Sequence, residues 1–203
     1  HKAGFDGTDS FSLYGTNSFN LVWEKVCAAN FGNSLNKKLS DLPLGVSSDY
    51  ILKKDDTLIE IIDRPVWYKF GENIYDDESE TLRPDLISIY KCNDSGEYCF
   101  GIFDAKYYCI NFDERASGYK VMGQPGVGDI TKQYLYQLAY DDFIIKQGYK
   151  YVQNVFLCPD EVAEKKYGWV RMNMLHQIGD KKLEDIAVVK LCAPEMYKIY
   201  LSD

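Results

Sequence analysis

The chain has 203 residues, of which 46% are hydrophobic and 15% aromatic, and its formal net charge is -8 at pH 7. This size and composition are typical of one packed α/β domain rather than of a disordered segment. The negative charge argues against a protein that binds nucleic acid by bulk electrostatics alone, although divalent cations in an acidic site would offset part of it locally.

No apolar run approaches the roughly 18 to 20 residues needed to span a bilayer, and the start does not combine a basic with an apolar region. We therefore expect a soluble, intracellular protein. Residues 1–16 are polar and without periodicity, which predicts a flexible lead before a domain at residues 17–203. The start at His1 rather than at a methionine is compatible with an excised fragment, in which case a further upstream domain is plausible.

The cysteines and histidines exclude several kinds of site. No two of the six cysteines have the close two-residue spacing of a zinc knuckle, so we predict reduced, buried thiols. His1 and His176 are the only histidines, which excludes a His-rich metal site. Catalysis by a Ser-His or Cys-His pair would depend on His176, for which a structural role is the favoured interpretation.

The first predicted element is an amphipathic helix in TNSFNLVWEKVCAANFG, residues 16–32. Asn17 or Ser18 can cap its start, and Gly32 can end it. Glu24 lies just outside the apolar stripe of this helix.

A less regular region follows. Residues 33–56 are polar and loop-like, with a short helix around residues 35–39 as an option. The sequence TLIEIID at residues 57–63 predicts a strand, which Arg64 and Pro65 end. The acidic run within residues 76–80 is best explained as an exposed loop.

The middle of the chain predicts a β-hairpin. LISIYKC at residues 86–92 and EYCFGIFDAKYYCI at residues 97–110 are both β-rich, and NDSG at residues 93–96 between them has strong turn chemistry. A second helix is predicted over residues 129–147, with Gly148 as its end.

The remaining elements complete an α/β pattern. YVQNVFLC and DIAVVKL predict two buried strands, and PEMYKIYL, with proline in its first turn, predicts a terminal helix. This order of helices and strands predicts a layered α/β domain with a mixed central β-sheet flanked by helices.

The hairpin places two aspartates together. A turn of two or four residues puts Asp85 directly opposite Asp104, on the same face of the sheet and with their Cβ atoms about 4.5 to 5.5 Å apart. Strand periodicity adds Lys106 to this face and turns the side chain of Ala105 away. A three-residue turn would shift the register and separate the pair.

Two opposed carboxylates destabilise a sheet and raise a pKa, so something must offset their repulsion. A hard divalent cation such as Mg²⁺ does so, because it accepts carboxylate and carbonyl oxygens and keeps several waters. Lys106 adds positive charge and stands where it could orient or deprotonate a metal-bound water. The alternative is that Asp85 and Asp104 merely flank strand ends in solvent.

These residues resemble a known nuclease signature. Pro84-Asp85, a hairpin and then Asp104-Ala105-Lys106 resemble the PD-(D/E)XK motif, and Glu24 matches the acidic residue that many members carry on their first core helix. KQYLYQLAY resembles the glutamine-containing helix motif of the RecB-like branch, with Gln137 and Tyr140 in the matching positions. From residue 19 to about residue 191 the chain looks most like the nuclease subunits of LlaJI-type and McrC-type restriction systems.

The resemblance implies a restriction-endonuclease-like core and Mg²⁺-dependent hydrolysis of DNA phosphodiester bonds, with Mn²⁺ as a substitute metal. Asp85, Asp104, Glu24 and the Ala105 carbonyl would serve the metal, and Lys106 would position the nucleophile and stabilise the developing charge.

Two glutamines on the second helix enter the same interpretation. Gln137 is the better match to the motif, and it or Gln133, four residues earlier on the same helix face, would anchor a metal-bound water, a phosphate or Lys106. A solvated helix face is the alternative for both.

The resemblance also implies partners in a prokaryotic cytoplasm. In McrC-type systems the nuclease works with a GTP-driven chain, and the GVGD sequence here lacks the end of a nucleotide-binding loop, so a GTPase or AAA+ motor would be a separate chain. A homodimer on DNA is expected, because double-strand cleavage needs two active sites or two passes. Two alternatives remain: a catalytically silent scaffold that binds DNA or a partner protein, and a nuclease for another substrate such as branched DNA.

Overall fold

A computed structural model describes residues 19–71, 80–162 and 165–202 of the chain. Within these ranges the α-helices are α1 (Phe19–Phe31), α2 (Val127–Gln147), α3 (Asn173–His176) and α4 (Ala193–Tyr200). The strands are β1 (Leu86–Lys91), β2 (Tyr98–Ala105), β3 (Asn111–Arg115), β4 (Gly118–Met122), β5 (Tyr151–Asp160), β6 (Lys165–Val170), β7 (Gln177–Ile178), β8 (Lys181–Lys182) and β9 (Ile186–Cys192). Short 3₁₀ helices lie at Leu39–Asp41, Ser48–Lys53 and Leu58–Ile61.

The central sheet has five strands in the order β1-β2-β5-β9-β6. Strands β2, β5 and β9 are parallel, whereas β1 and β6 run antiparallel to their neighbours at the two edges. Two small antiparallel pairs, β3-β4 and β7-β8, lie outside this sheet. The predicted α/β domain with a mixed central sheet is confirmed.

Helices cover the sheet on both faces, and β2 shows the two layers most clearly. Its residues Phe100 and Ile102 pack with the apolar side of α2, while Phe103 and Ala105 pack with α1 and α4 on the other face. A strand that is buried on both faces carries apolar residues without alternation, as β2 does. No helix in the described ranges has both the length and the apolar content to cross a membrane.

The ends of the two long helices follow the prediction. Gly32 directly after α1 has φ 69°, and Gly148 directly after α2 has φ 79°. Glycine adopts this left-handed backbone without a Cβ penalty, so it ends a helix at low energetic cost. The predicted caps of the first helix, the flexible lead at residues 1–16 and most of the acidic run within residues 76–80 lie outside the described residues.

The strand predicted at residues 57–63 is wrong, because the chain forms the 3₁₀ helix Leu58–Ile61 there. The Glu60 carboxylate accepts hydrogen bonds from the Thr57 backbone N–H at 2.5 Å and from the Thr57 hydroxyl at 2.7 Å. This capping box satisfies donors at a helix start, and it outweighs the β propensity of an apolar run as short as this one. The helix considered around residues 35–39 begins only at Leu39.

Other parts of the chain have structure that the sequence analysis did not predict. Strand β2 ends at Ala105 instead of continuing to residue 110, and the exposed hairpin β3-β4 follows it. The thiol prediction holds in part: all six cysteines are free, but only three of them are buried, since Cys92 and Cys192 are partly exposed and Cys109 is exposed. His176 lies near Asp185, with 3.5 Å between Nδ1 and a carboxylate oxygen.

Candidate active site

The β1-β2 hairpin has the register that the turn predicts. The Cys92 N–H donates to the Glu97 carbonyl at 2.8 Å, which encloses a four-residue turn at residues 93–96. Leu86 at the start of β1 then lies opposite Phe103, one residue before Asp104 in β2. The hairpin therefore brings Asp85 to the level of Asp104, as predicted.

Asp85 ends the ladder between these two strands with its side chain. One of its carboxylate oxygens accepts a hydrogen bond from the Ala105 backbone N–H at 2.8 Å, where regular pairing of β1 has already stopped. Asn33 holds the backbone here: its amide nitrogen donates to the Asp85 carbonyl at 3.3 Å, and its oxygen accepts from the Ile87 N–H at 3.2 Å. Asp85 thus has a structural role in addition to any chemical one.

Asp104 and Lys106 form an ion pair at the carboxyl end of β2. The Lys106 Nζ lies 2.9 Å from a carboxylate oxygen of Asp104, whose side chain is only 6% exposed. The Lys106 backbone N–H donates to the Leu157 carbonyl of β5 at 2.9 Å, which fixes the chain just beyond the strand. The predicted placement of both side chains on one face is confirmed.

Helix α1 brings a third acid toward this pair. The buried Trp23 indole donates to the Leu157 carbonyl at 2.9 Å, so α1 is attached to the same end of the sheet. Glu24, the next residue, is half-buried and within electrostatic range of both Lys106 and Asp104. The helix that was predicted to carry an acidic residue therefore delivers it beside the strand-end pair.

The carboxyl groups of this cluster resist ionisation. Burial, the charge of Asp85 and a hydrogen bond with Asp85 raise the pKa of Asp104 to about 7 from an ordinary 3.8. Burial also raises the pKa of Asp85 and of Glu24. Two carboxyl groups this close resist simultaneous ionisation, so the pair binds a proton more readily than an isolated carboxyl group does.

Lys106 responds in the opposite sense. Burial alone would lower the pKa of its ammonium group, but the neighbouring carboxylates, that of Asp104 foremost, outweigh burial and raise it. Lys106 is consequently protonated and positively charged at neutral pH. A single lysine cannot neutralise three carboxyl groups, so the cluster would gain from a further positive charge.

The donor set suits Mg²⁺ better than a metal that needs a dense protein cage. In residues 19–71, 80–162 and 165–202 no three His, Cys, Asp or Glu side chains form a group arranged to hold a metal ion. Mg²⁺ does not require such a group, since it is usually bound by one or two carboxylates and keeps waters or takes substrate phosphates. Asp85 and Asp104, with a strand-end carbonyl beside them, fit that pattern.

The two glutamines of α2 have other partners. The Gln137 side-chain oxygen accepts hydrogen bonds from the Asn154 amide at 3.3 Å and from the Glu184 backbone N–H at 3.0 Å. The Gln133 amide donates to the Ile102 carbonyl at 2.9 Å, and its own oxygen is buried without a hydrogen-bond partner. Gln133 therefore joins α2 to β2, and Gln137 joins α2 to β5 and to the chain before β9.

Helix α2 also carries Tyr140, which matches the motif, and two residues near the site that were not predicted, Asp129 and Tyr136. Tyr140 is fully buried, and its hydroxyl donates to the Leu58 carbonyl at 3.1 Å, as a core residue does. Asp129 contacts Lys106, with 3.3 Å between its oxygen and Nζ. Burial, and then the nearby charges of Asp104 and Asp85, raise the pKa of the buried Tyr136 to about 12. The spacing of Asp129, Gln133 and Tyr136 along one helix face was the sequence signal for this arrangement.

Comparison with known proteins gives two consistent findings. The sequence profile of the LlaJI restriction endonuclease family matches residues 2–194 of the chain. The chain belongs to the LlaJI restriction endonuclease family. It is also 34% identical over 202 residues to a Bacillus subtilis (strain 168) protein described as "Type II restriction enzyme BsuMI component YdjA".

The extent of these matches differs between the two proteins. The alignment with the Bacillus subtilis relative covers 98% of this chain but 36% of the relative, so the chain spans about a third of that protein's length. No solved structure matches the chain significantly. The LlaJI-family match includes the first helix, both acidic strand ends and α2, which together carry every candidate residue.

A cavity of about 630 Å³ opens at the same end of the sheet. Its walls include Tyr107, directly after Lys106, and Tyr197 of α4, with Lys190 and Asp160 at its polar side. Asp85, Asp104 and Glu24 do not line it. In this LlaJI-family chain the carboxyl ends of the parallel strands are thus concave beside the acidic cluster, the usual place for a ligand in open α/β sheets.

Proposed function

We propose that this LlaJI-family chain is a Mg²⁺-dependent DNA endonuclease of the PD-(D/E)XK type and the cleavage domain or subunit of a restriction system. The observation that supports this proposal most is that Asp85, Asp104 and Lys106 meet at adjacent strand ends. Asp85 accepts a hydrogen bond from the Ala105 N–H, 20 residues away in sequence, and Lys106 forms an ion pair with Asp104. A protein without chemistry has little reason to keep two repelling acids there.

The metal would be held by Asp85, Asp104 and the Ala105 carbonyl, with Glu24 as a further ligand or a partner of the metal's waters. When bound, Mg²⁺ supplies positive charge that activates water and stabilises the charge developing on the phosphate, and Mn²⁺ would substitute for it. The raised carboxyl pKa values support this assignment, because they mark a place where added positive charge is favourable.

Lys106 has a specific part in this proposal. Its raised pKa keeps the ammonium protonated at neutral pH, so it donates hydrogen bonds rather than removing a proton from water. An ammonium group beside the strand end can orient the attacking water and stabilise the negative charge of the pentacovalent phosphate. We therefore favour orientation and charge stabilisation over general-base catalysis for Lys106.

The glutamines and tyrosines of α2 have smaller parts. The Gln137 side-chain oxygen already accepts hydrogen bonds from Asn154 and from the Glu184 N–H. We therefore propose a structural role for Gln137 rather than the direct role that the motif implied. Tyr136, buried against the carboxylates, would exclude water from one side of the site.

We also propose that the chain works with partners. The Bacillus subtilis relative is named as a component of a restriction enzyme, and this chain corresponds to about a third of that relative's length. DNA is the proposed substrate, a GTPase or AAA+ motor would be a separate chain, and a homodimer on DNA would cut both strands.

Plasmid cleavage tests the proposal. The chain, alone and with the other components of its restriction system, is incubated with supercoiled plasmid in Mg²⁺ and in EDTA. We expect Mg²⁺-dependent nicking or linearisation that Asp104→Asn and Lys106→Met each reduce by at least about a hundredfold. Asp142→Asn is the matched control, because it removes the same charge from an exposed position far along α2.

Three outcomes separate the alternatives. Cleavage that continues in EDTA, or that Asp104→Asn leaves unchanged, contradicts the proposal. DNA binding without cleavage in the complete system favours a silent scaffold. Faster cleavage of branched junctions than of linear duplex favours a nuclease for another substrate.

A further inference from the structure

Lys106 lies between two carboxylates that belong to different elements. Its Nζ is 2.9 Å from an oxygen of Asp104 on β2 and 3.3 Å from an oxygen of Asp129 on α2. All three side chains are largely shielded, with exposed fractions of 20% for Lys106, 6% for Asp104 and 26% for Asp129. Ion pairs with this degree of shielding are screened less by solvent than surface pairs are.

The Asp129 carboxylate is held in place independently of Lys106. Its second oxygen accepts a hydrogen bond from the Gly126 backbone N–H at 3.3 Å, in the first turn of α2. One oxygen is thus occupied by the helix start, and the other faces the ammonium. Asp129 therefore offers Lys106 a fixed alternative to Asp104.

A divalent cation on Asp104 changes what Lys106 can do. Without the cation, the ammonium is the main counter-ion of Asp104; with it, the ammonium and the cation repel each other and compete for the same carboxylate. A lysine with no second partner would either keep Asp104 and oppose metal binding or move into solvent, away from the substrate. Asp129 provides a third possibility, because its carboxylate can hold the ammonium beside the site after the cation has bound Asp104.

We infer that Asp129 is a positioning residue that holds Lys106 when a divalent cation takes over Asp104. The inference rests on the proposed function, since it requires the cation to bind at Asp104. Asp129 touches neither cation nor substrate in this account, and its effect passes entirely through Lys106. Removing Asp129 should consequently weaken metal binding only when Lys106 is present.

A double-mutant cycle on Mn²⁺ binding tests this without any measurement of cleavage. Free Mn²⁺ is measured by electron paramagnetic resonance at pH 8 for the wild type, for Asp129→Asn, Lys106→Met and their double variant, and for Asp129→Glu and Asp104→Asn. Asp129→Asn keeps an oxygen for the Gly126 N–H, so the start of α2 should stay intact; circular dichroism and thermal unfolding check this. Asp142→Asn controls for the loss of one negative charge on α2.

We expect Asp129→Asn to weaken Mn²⁺ binding about two- to fivefold, as the loss of one partly shielded ion pair would. Lys106→Met should strengthen binding, because it removes the competing ammonium. The double variant should bind like Lys106→Met, Asp129→Glu should bind close to the wild type, and Asp142→Asn should bind like the wild type.

Two results overturn the inference and can be told apart. If Asp129→Asn weakens binding equally with and without Lys106, or does not weaken it, Asp129 does not act through Lys106, while the proposed function stands. If Mn²⁺ binding is absent from the wild type, or is unchanged by Asp104→Asn, the proposed metal site itself is contradicted and the inference falls with it.

Discussion

The two halves of strand β2 face the same helix and differ in what they bury. Phe100 near the amino end is fully buried and packs its ring against Tyr140 and Tyr149, with ring centroids 5.2 and 5.3 Å away. Asp104, four residues later on the same face, is almost as deeply buried but carries a carboxyl group next to Asp85. One half of the strand excludes water with aromatic rings, and the other encloses charge.

This difference separates stability from chemistry within one pair of elements. The aromatic half gains free energy of folding from burial, whereas the acidic half loses some, because desolvated and mutually repelling carboxyl groups resist ionisation. Proteins commonly keep such unfavourable groups only where function needs them. Helix α2 and the amino half of β2 therefore provide the rigid support on which the charged half of β2 depends.

The largest expected effect comes from the aromatic half. Phe100→Ala should lower the free energy of unfolding by about 3 to 5 kcal/mol, because it removes a fully buried ring and leaves a cavity between α2 and the sheet. Urea unfolding followed by circular dichroism measures this. Tyr119→Ala, on the exposed β4, is the control and should change stability little. A loss below about 1 kcal/mol for Phe100→Ala would contradict the division proposed here.

The acidic half should respond with the opposite sign. In EDTA at pH 8, Asp104→Asn should raise the free energy of unfolding by on the order of 2 kcal/mol, because ionising a carboxyl group whose pKa is about 7 in the folded protein opposes folding. Lys106 keeps Asp129 as a partner in this variant. Urea unfolding of both proteins in the same buffer gives the difference, and a clear loss of stability would refute the interpretation.

The pH dependence of that difference follows from the same group. Asp104 has a higher pKa in the folded chain, about 7, than its ordinary 3.8, so between these values the folded state binds more protons than the unfolded state. The stability of the metal-free wild type should therefore fall relative to Asp104→Asn as the pH rises from 3.8 through about 7, and should stay level above that range. A difference that is flat, or that grows with pH in favour of the wild type, has the wrong sign for this account.

Divalent cations should restore part of the stability that the repelling carboxyl groups cost, and this is the smallest of the expected effects. At pH 8, a tenfold excess of Mg²⁺ over its dissociation constant should stabilise the wild type by about 1.4 kcal/mol. Asp104→Asn should show no such gain, since it lacks a carboxylate of the proposed metal site. Thermal unfolding across a Mg²⁺ series measures both, and equal gains in the two proteins would indicate that the ion binds elsewhere.

Local signals explain why the strand-end pair could be predicted. The turn at residues 93–96 fixes the register by its own chemistry, and the side-chain period of two then brings Asp85, Asp104 and Lys106 to one face. Helix α2 could be predicted equally well, because its apolar periodicity extends over many residues and Gly148 ends it. These features require information from neighbouring residues only.

The failures have physical causes of two kinds. At residues 57–63 a side-chain capping box competes with β propensity, and in the β3-β4 hairpin every residue is exposed, so no buried face marks the pattern. The rest of the site depends on tertiary contacts. Asn33 holds Asp85 from 52 residues away, and Gln137 bonds to the backbone at Glu184 from 47 residues away, neither of which a local pattern contains.

Asp85 and Asp104 together are proposed to hold a divalent cation, and the position of that cation can be determined experimentally. Crystals of the chain grown at pH 8 with Mn²⁺ allow the metal to be located by anomalous scattering. We expect an anomalous peak about 2.1 Å from carboxylate oxygens of both Asp85 and Asp104. A peak elsewhere, or none while the two carboxyl groups remain hydrogen-bonded to each other, would contradict it.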